Sequence, residues 1–328
     1  MQNKSPPRFI NFIFFLCLWF LLATGGFLFG YWVASPGPLT QGTTVLIEPG
    51  AGLSGAATAL KTANVISNEW LFESFITVTG NRQKIKAGEY AFDIYVPLLQ
   101  VIQKFARGEI LIRRITVIEG WTSKQIVAAL QENQFLTGDI QVIPAEGTLM
   151  PDTYNFTRGQ SRRSIITRME TAMSGFIAAH WPERGVAYPL PEPQDWVKLA
   201  SIVEAETPKR DERARVAGVY LNRLALPMRL EADPTVSYGI NEGAGPLGRA
   251  LTLADLQNPH AFNTYVHDGL PPTPINNPGR ASLLAALHPE RNNYFYFVAN
   301  GTGGHAFAES FEQHQKNVAA WRKIKATP

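Results

Sequence analysis

For 39 consecutive residues, Phe9 through Ile47, this chain carries no Asp, Glu, Lys, Arg or His. Its first part, Phe9 to Ala34, reads FINFIFFLCLWFLLATGGFLFGYWVA and is apolar apart from Asn11 and Thr24. About 20 apolar residues carry a helix across the hydrocarbon core of a bilayer, and this run supplies them with some left for tilt. Lys4 and Arg8 precede it and no acidic residue does, so the positive-inside rule puts the N-terminus in the cytoplasm and the rest of the chain on the far side. A cleaved signal peptide has an apolar core of roughly 7–15 residues, shorter than this one, so the run reads as an uncleaved single-pass anchor. Cys17 lies within the run without small residues before it, and reads as a small apolar residue rather than a lipidation site. Tyr31 and Trp32 stand where an interfacial aromatic belt belongs, and Ser35-Pro36-Gly37-Pro38 then ends the helix and starts an extended linker.

Setting the anchor aside changes what the averages mean. The net charge is +3, and without Lys4 and Arg8 the remaining 28 basic and 27 acidic residues leave +1. So even a balance argues against a nucleic-acid partner, which needs a basic face. Seven tryptophans, ten tyrosines and nineteen phenylalanines in 328 residues exclude a disordered chain. The single cysteine excludes an intramolecular disulfide and any metal site built on several thiolates. The chain beyond the anchor is long enough for two or three domains of roughly 100–200 residues, held by their cores alone.

Two stretches of that ectodomain look alike. Val45-Leu46-Ile47-Glu48-Pro49-Gly50 leads into LSGAATAL, and Val117-Ile118-Glu119-Gly120 leads into WTSKQIVAAL. Each is a β-branched run, then Glu and Gly, then an Ala/Leu helical pattern, which makes two related β-turn-α units. Between them, Glu69–Val78 predicts a helix, Ala87–Phe92 a turn into a strand, and Pro97–Phe105 a helix stopped by Arg107-Gly108. Strand-helix-helix-strand suits a small carbohydrate-binding module or a spacer. YPLPEP, ending at Pro193, breaks all regular structure and marks a domain boundary.

Beyond it, DWVKLASIVEAE (Asp195–Glu206) predicts a helix with two carboxyls in its last turn, Glu204 and Glu206. A carboxyl among Val197, Ala200, Ile202 and Val203 is desolvated, which raises its pKa and keeps the proton a general acid needs. At i and i+2 the two point to different sides, and periodicity does not choose between them. Glu231 and Asp233 could line a cleft, and Asp233-Pro234 also starts a helix on structural grounds alone. Asn263 to Tyr265 and the proline-rich Gly269–Gly279 form rigid loops whose Asn and Tyr suit sugar hydroxyls. Tyr294–Val298 reads as a buried strand, followed by a glycine-rich stretch before His305. Those glycines do not form a spaced GxGxxG that opens a helix, and no P-loop, HExxH or GxSxG motif is present, which argues against metallohydrolase and serine-hydrolase chemistry.

Taken in order, Leu199-Ala200-Ser201-Ile202-Val203-Glu204, Leu221-Asn222-Arg223-Leu224, Leu230–Val236, Tyr238-Gly239, Asn263-Thr264-Tyr265, Gly269–Pro272, Asn277-Pro278-Gly279 and Gly304-His305 resemble the endolytic murein transglycosylase family. Ala87-Gly88, Thr116–Gly120, Met150–Tyr154 and the anchor resemble it too, so the likeness spans essentially the whole chain. The resemblance implies an α+β fold organised as a cytoplasmic tail (1–8), transmembrane helix (9–34), linker (35–42), LysM-like α/β module (43–113), connecting α/β region (114–185) and mixed α+β catalytic domain (186–328). It implies cleavage of the MurNAc–GlcNAc β-1,4 bond within nascent peptidoglycan strands, leaving 1,6-anhydro-MurNAc ends, with no cofactor and no metal. The family's catalytic acid at the end of the ASIVE motif maps to Glu204. Glu231, where Gln is frequent, joins Asp233, Thr235, Asn222, Arg223, Asn263, Tyr265, Asn277 and His305 as expected substrate-binding residues. The implied setting is the inner membrane with the catalytic domain in the periplasm, peptidoglycan synthases being candidate partners. The rival readings are a muramidase that uses water, with Glu231 or Asp233 as second carboxylate, and a non-catalytic peptidoglycan-binding scaffold.

Overall fold

Alternating apolar side chains pair the first two strands. β1 (Thr43–Ile47) and β2 (Gly88–Phe92) run antiparallel, with Val45 opposite Tyr90 and Ile47 opposite Gly88. In this computed structural model, which describes residues 8–80, 85–186 and 188–326, the chain divides into two compact units, Met1–Arg113 and Arg114–Pro328.

The first unit opens with α1 (Arg8–Ala34), whose Phe12–Ala34 segment has mean hydropathy 2.3 and is long and apolar enough to cross a membrane. Then come β1, α2 (Gly52–Thr62), α3 (Glu69–Val78), β2 and α4 (Leu98–Arg107). Asn68 caps α3 by accepting from the Leu71 N–H, and α4 stops at Gly108 in the left-handed conformation its sequence predicts. Leu60, Phe72, Ile76, Tyr90, Val101 and Phe105 fill the core. Residues 35–42 differ from the expected extended linker. The Gly37 N–H donates to Tyr95 O at 3.0 Å, the Tyr95 N–H donates to Leu39 O at 2.7 Å, and Leu39 is buried in the core of the module. Glycine is required at 37 because a Cβ there would run into the Val96 carbonyl. Fixed by two prolines and bonded along its length, this segment is a packed strap.

In the second unit β3 (Arg113–Thr116) pairs with β4 (Thr153–Phe156), and α5 (Ser123–Glu132) and α6 (Arg162–His180) complete a core of Val117, Ile126, Leu130, Leu149, Phe156, Ile165 and Met169. The two β-turn-α stretches share a turn glycine with positive φ, 85° at Gly50 and 80° at Gly120. Their helix starts differ: Thr122 and Gln125 form a capping box, whereas Ala51 offers no side-chain cap. A second core surrounds α7 (Pro193–Glu206), which packs on α8 (Arg213–Leu224) and α11 (Arg280–Leu287). Trp196, fully buried, donates its indole N–H to Leu283 O at 2.7 Å. Around these lie α9 (Asp233–Asn241), α10 (Leu253–Gln257), the antiparallel pair β5 (Tyr296–Ala299) and β6 (His305–Ala308), and α12 (Phe311–Ala326). β5 is half-buried along its length rather than fully buried, because it forms one wall of a cavity.

Asn277 stitches the two cores of this unit together. Its Oδ1 accepts from the Leu149 N–H at 2.9 Å, and its Nδ2 faces Trp121 O and Ser123 Oγ, each at 3.1 Å. The Asn277 backbone also pairs in both directions with the Gly120-Trp121 turn. Asn277→Ala leaves several of these buried groups without partners, so its urea midpoint should fall by the equivalent of about 3 kcal/mol.

Candidate active site

The last turn of α7 sends its two carboxyls to different destinations, as i and i+2 positions must. Glu204 turns inward. Its Oε1 accepts from Arg213 Nη2 at 2.9 Å, its Oε2 accepts from the Gly279 N–H at 2.9 Å, and both side chains of the pair are about 5% exposed. Arg213 Nη1 also lies 3.8 Å from Glu119. Glu204 thus ties the start of α8 to the turn at Gly279, while Arg213 reaches Glu119 beside Gly120, and Glu204 lines neither of the cavities next to it.

Glu206 faces the cleft. Its Oε1 accepts from the Tyr220 hydroxyl at 2.7 Å. Burial pushes its pKa up to about 7; the Tyr220 hydrogen bond opposes the rise, the negative charge of Asp233 adds to it, and Arg223 opposes it. Two cavities meet at Glu206 and Asp233. One, of about 380 Å³, is walled by Tyr265, Tyr296, His305 and His314. The other, of about 600 Å³, is walled by Trp121, Gln125, Tyr238 and the Gly243–Leu247 loop. A larger cavity of about 710 Å³ lies beside the N-terminal half of α7, around Val197 and Pro274. It is mostly apolar, and the half-buried Glu146 in its wall is held by the Ser123 N–H at 2.9 Å, with burial raising its pKa to about 7.

The other expected residues divide the same way. Asp233, the first residue of α9, accepts from the Tyr265 hydroxyl at 2.7 Å, and burial with this bond raises the Tyr265 pKa. Glu231 has a left-handed backbone, φ 49°, and its half-exposed carboxylate lies 3.3 Å from Arg223. Arg223 is buried, donates to Phe295 O, Arg229 O and Leu230 O, and lies over the Tyr296 ring. His305 Nδ1 is 2.7 Å from Glu212. These five border the smaller cavity. Four others are committed to the protein itself. Thr235 is buried against Thr264 Oγ1 and Ala232 O, Asn222 donates to Asn292 O and Tyr294 O, and Asn263 donates to three carbonyls around the end of α10. Asn277 is the stitch described above. In the sequence these four read as sugar ligands because Asn and Thr bind sugars and close loops with the same atoms. Tyr220, Trp121, Tyr296 and His314 line the cavities without a comparable signal in the sequence, and Tyr238 has only its place in a family motif; Tyr220 is hidden in the apolar stripe of α8.

The arrangement offers one carboxyl that stays protonated near neutrality, a hydrogen-bonded carboxylate beside it, and open space on both sides. The profile of the YceG-like family matches residues 45–320. A Bacillus subtilis (strain 168) protein named endolytic murein transglycosylase is 30% identical over 330 residues, covering 90% of this chain and 90% of its own. A protein of the same name from Streptococcus pneumoniae D39 is 25% identical over 362 residues, covering 94% of this chain, which spans 64% of that relative's length. A 2.6 Å crystal structure of a YceG-like protein from Listeria monocytogenes superposes with a TM-score of 0.53 at 30% identity, over 84% of this chain and 99% of its own.

Glu206 and Glu146 keep their protons in the folded chain up to about pH 7, against 4.5 for an ordinary glutamate. Between those values the folded state binds more protons than the unfolded one, so stability falls as pH rises through that window and levels off above it. Glu206→Gln removes one of the two contributions. Denaturant titrations from about pH 5 to about pH 8 should show a shallower decline in the variant than in the parent chain.

Proposed function

Because the chain belongs to the YceG-like family, we propose that it is an endolytic peptidoglycan lytic transglycosylase, with Glu206 rather than Glu204 as its catalytic acid. The observation that carries this reading is the position of the Glu206 carboxyl at the junction of two cavities. A glycan strand laid through both would have its scissile bond over that carboxyl, which is what cutting within a strand requires.

The chemistry needs one group that first gives and then takes a proton. Protonated Glu206 donates to the departing glycosidic oxygen as the MurNAc C1–O bond breaks. Its carboxylate then accepts the proton of the same sugar's C6 hydroxyl as that oxygen closes on C1, forming the 1,6-anhydro ring. No water is consumed, and the nucleophile is already positioned within the substrate. Tyr220 holds Glu206 Oε1, which leaves Oε2 for the substrate. The Asp233 side chain, fixed by Tyr265, suits the positive charge that develops at C1. Arg223, Glu231, Tyr265 and His305 are in place to bind the strand.

Asp233 beside Glu206 also supports a second reading, a hydrolytic muramidase with two carboxylates. Product masses separate the two, since anhydro ends are lighter than reducing ends by one water. In either case α1 acts as a single-pass inner-membrane anchor with its N-terminus in the cytoplasm and the second unit in the periplasm. The β1-α2-α3-β2 order with antiparallel strands supports a LysM-like module in the first unit.

Glu206→Gln should lower release of anhydro-ended fragments from uncrosslinked strands by about 100-fold or more without unfolding the protein. Glu204→Gln should lower thermal stability, because it breaks a buried ion pair, yet cut glycan wherever it remains folded. A folded but inactive Glu204→Gln chain beside an active Glu206→Gln chain would reverse the assignment. Tyr220→Phe removes a bond that favours the carboxylate, so the alkaline limb of its pH–rate profile should move up by about one unit.

A further inference from the structure

The apolar helix and the small module of the first unit form one continuous packed body. Phe29 of α1 stacks on Phe75 of α3, ring centroids 6.0 Å apart and 17° between planes, and α1 also packs against α4. Val33 is 3% exposed, and Trp32 shares a small cavity with Gly37, Asn68 and Leu98. The strap is bonded to the β2–α4 turn through Gly37 and Tyr95.

Counting along the helix locates this contact relative to a bilayer. The hydrocarbon core takes about 20 residues. Starting at Phe9, that span ends at Leu28, and the packing on the module begins at Phe29, the next residue. The surface of the module around the helix exit is therefore set at headgroup level. That surface exposes several large apolar side chains. Trp70, two residues from Asn68, is 69% exposed; Val78, one turn beyond Phe75, is 86% exposed; Ile94 and Tyr95, in the turn that holds the strap, are 55% and 53% exposed. Isolated exposed apolar residues are ordinary, but Trp70 and Val78 sit on α3, which stacks on the emerging helix, and Ile94 and Tyr95 on the turn bonded to the strap that follows it. Trp and Tyr are also the residues that favour the membrane–water boundary.

We propose that Trp70, Val78, Ile94 and Tyr95 form a second membrane contact, a collar around the helix exit that lies in the interfacial layer of the bilayer spanned by α1. The bilayer is the occupant because the helix that emerges into this face is itself the apolar span, and no slack separates the two. The proposal rests on reading α1 as a membrane anchor.

The test uses the full chain in nanodiscs of phosphatidylethanolamine and phosphatidylglycerol, with Cys17→Ser as background and a single environment-sensitive label at Trp70→Cys, Tyr95→Cys, Glu48→Cys or Leu21→Cys. Glu48 is exposed at the far end of β1 from the strap, and Leu21 lies within α1. Lipids spin-labelled high on the acyl chain should quench the labels at 70 and 95 several-fold more than the label at 48. Equal quenching at 70, 95 and 48, with Leu21→Cys strongly quenched, would overturn the collar while leaving the anchor intact. Labels at 70 and 95 that are shielded from water but not quenched by lipid would overturn it in favour of a protein partner. An unquenched Leu21→Cys label would overturn the anchor and the collar together.

Discussion

The burial of α7 between α8 and α11 is the constraint on which the site depends. Trp196, Leu199, Ile202 and Val203 leave the helix no freedom to rotate or slide, since each is fully or nearly fully enclosed and Trp196 is also hydrogen-bonded to α11. Close-packed interiors deform little, so the positions of the last two carboxyls are set by apolar contacts a turn or more away. One carboxyl then lands beside Arg213 and becomes part of the frame. The other lands beside Tyr220 at the edge of the packed region, where water is largely excluded but a ligand can reach. A general acid needs that compromise: enough burial to hold its proton, and enough opening to give it away.

Glu204 and Glu206 show how a buried ion pair and a carboxyl that borders two cavities can be built from the same residue type two positions apart. A charged pair in the interior gains little over an apolar pair of the same shape, but losing one member is costly. Glu204 adds specificity of arrangement, because it joins α8 to the turn at Gly279 and holds Arg213, which reaches Glu119 beside Gly120. The Gly120 turn carries Trp121 into the wall of the larger of the two adjoining cavities. Its contribution to the cleft is thus made through other residues.

Much of the fold is legible in the sequence because local physics decides it. Glu69–Val78 is helical over the residues its pattern marks, the α4 stop falls at Gly108, and the run from Arg8 to Ala34 is one helix. By pattern the site is legible only as far as the choice between two glutamates, and the family resemblance points to Glu204. What separates them is a partner nine residues on, Arg213, and another fourteen on, Tyr220, and neither contact leaves a periodic trace. The asparagines mislead for a related reason: Asn263 and Asn277 hold loops with the same amide atoms that would hold a sugar. The strap is hidden because Pro and Gly mark both free linkers and tightly packed ones, and only the carbonyl of Val96 against Gly37 tells them apart.

The junction of two cavities at Glu206 has a consequence for how a polymer would be handled. A channel closed at one end measures from a terminus, as a ruler does, and hands back pieces of fixed size. A trough open in both directions has no zero mark. It can take hold anywhere along a chain and let both halves fall away sideways, with neither having to be threaded out. The lengths it leaves behind record where the protein happened to stand along the strand.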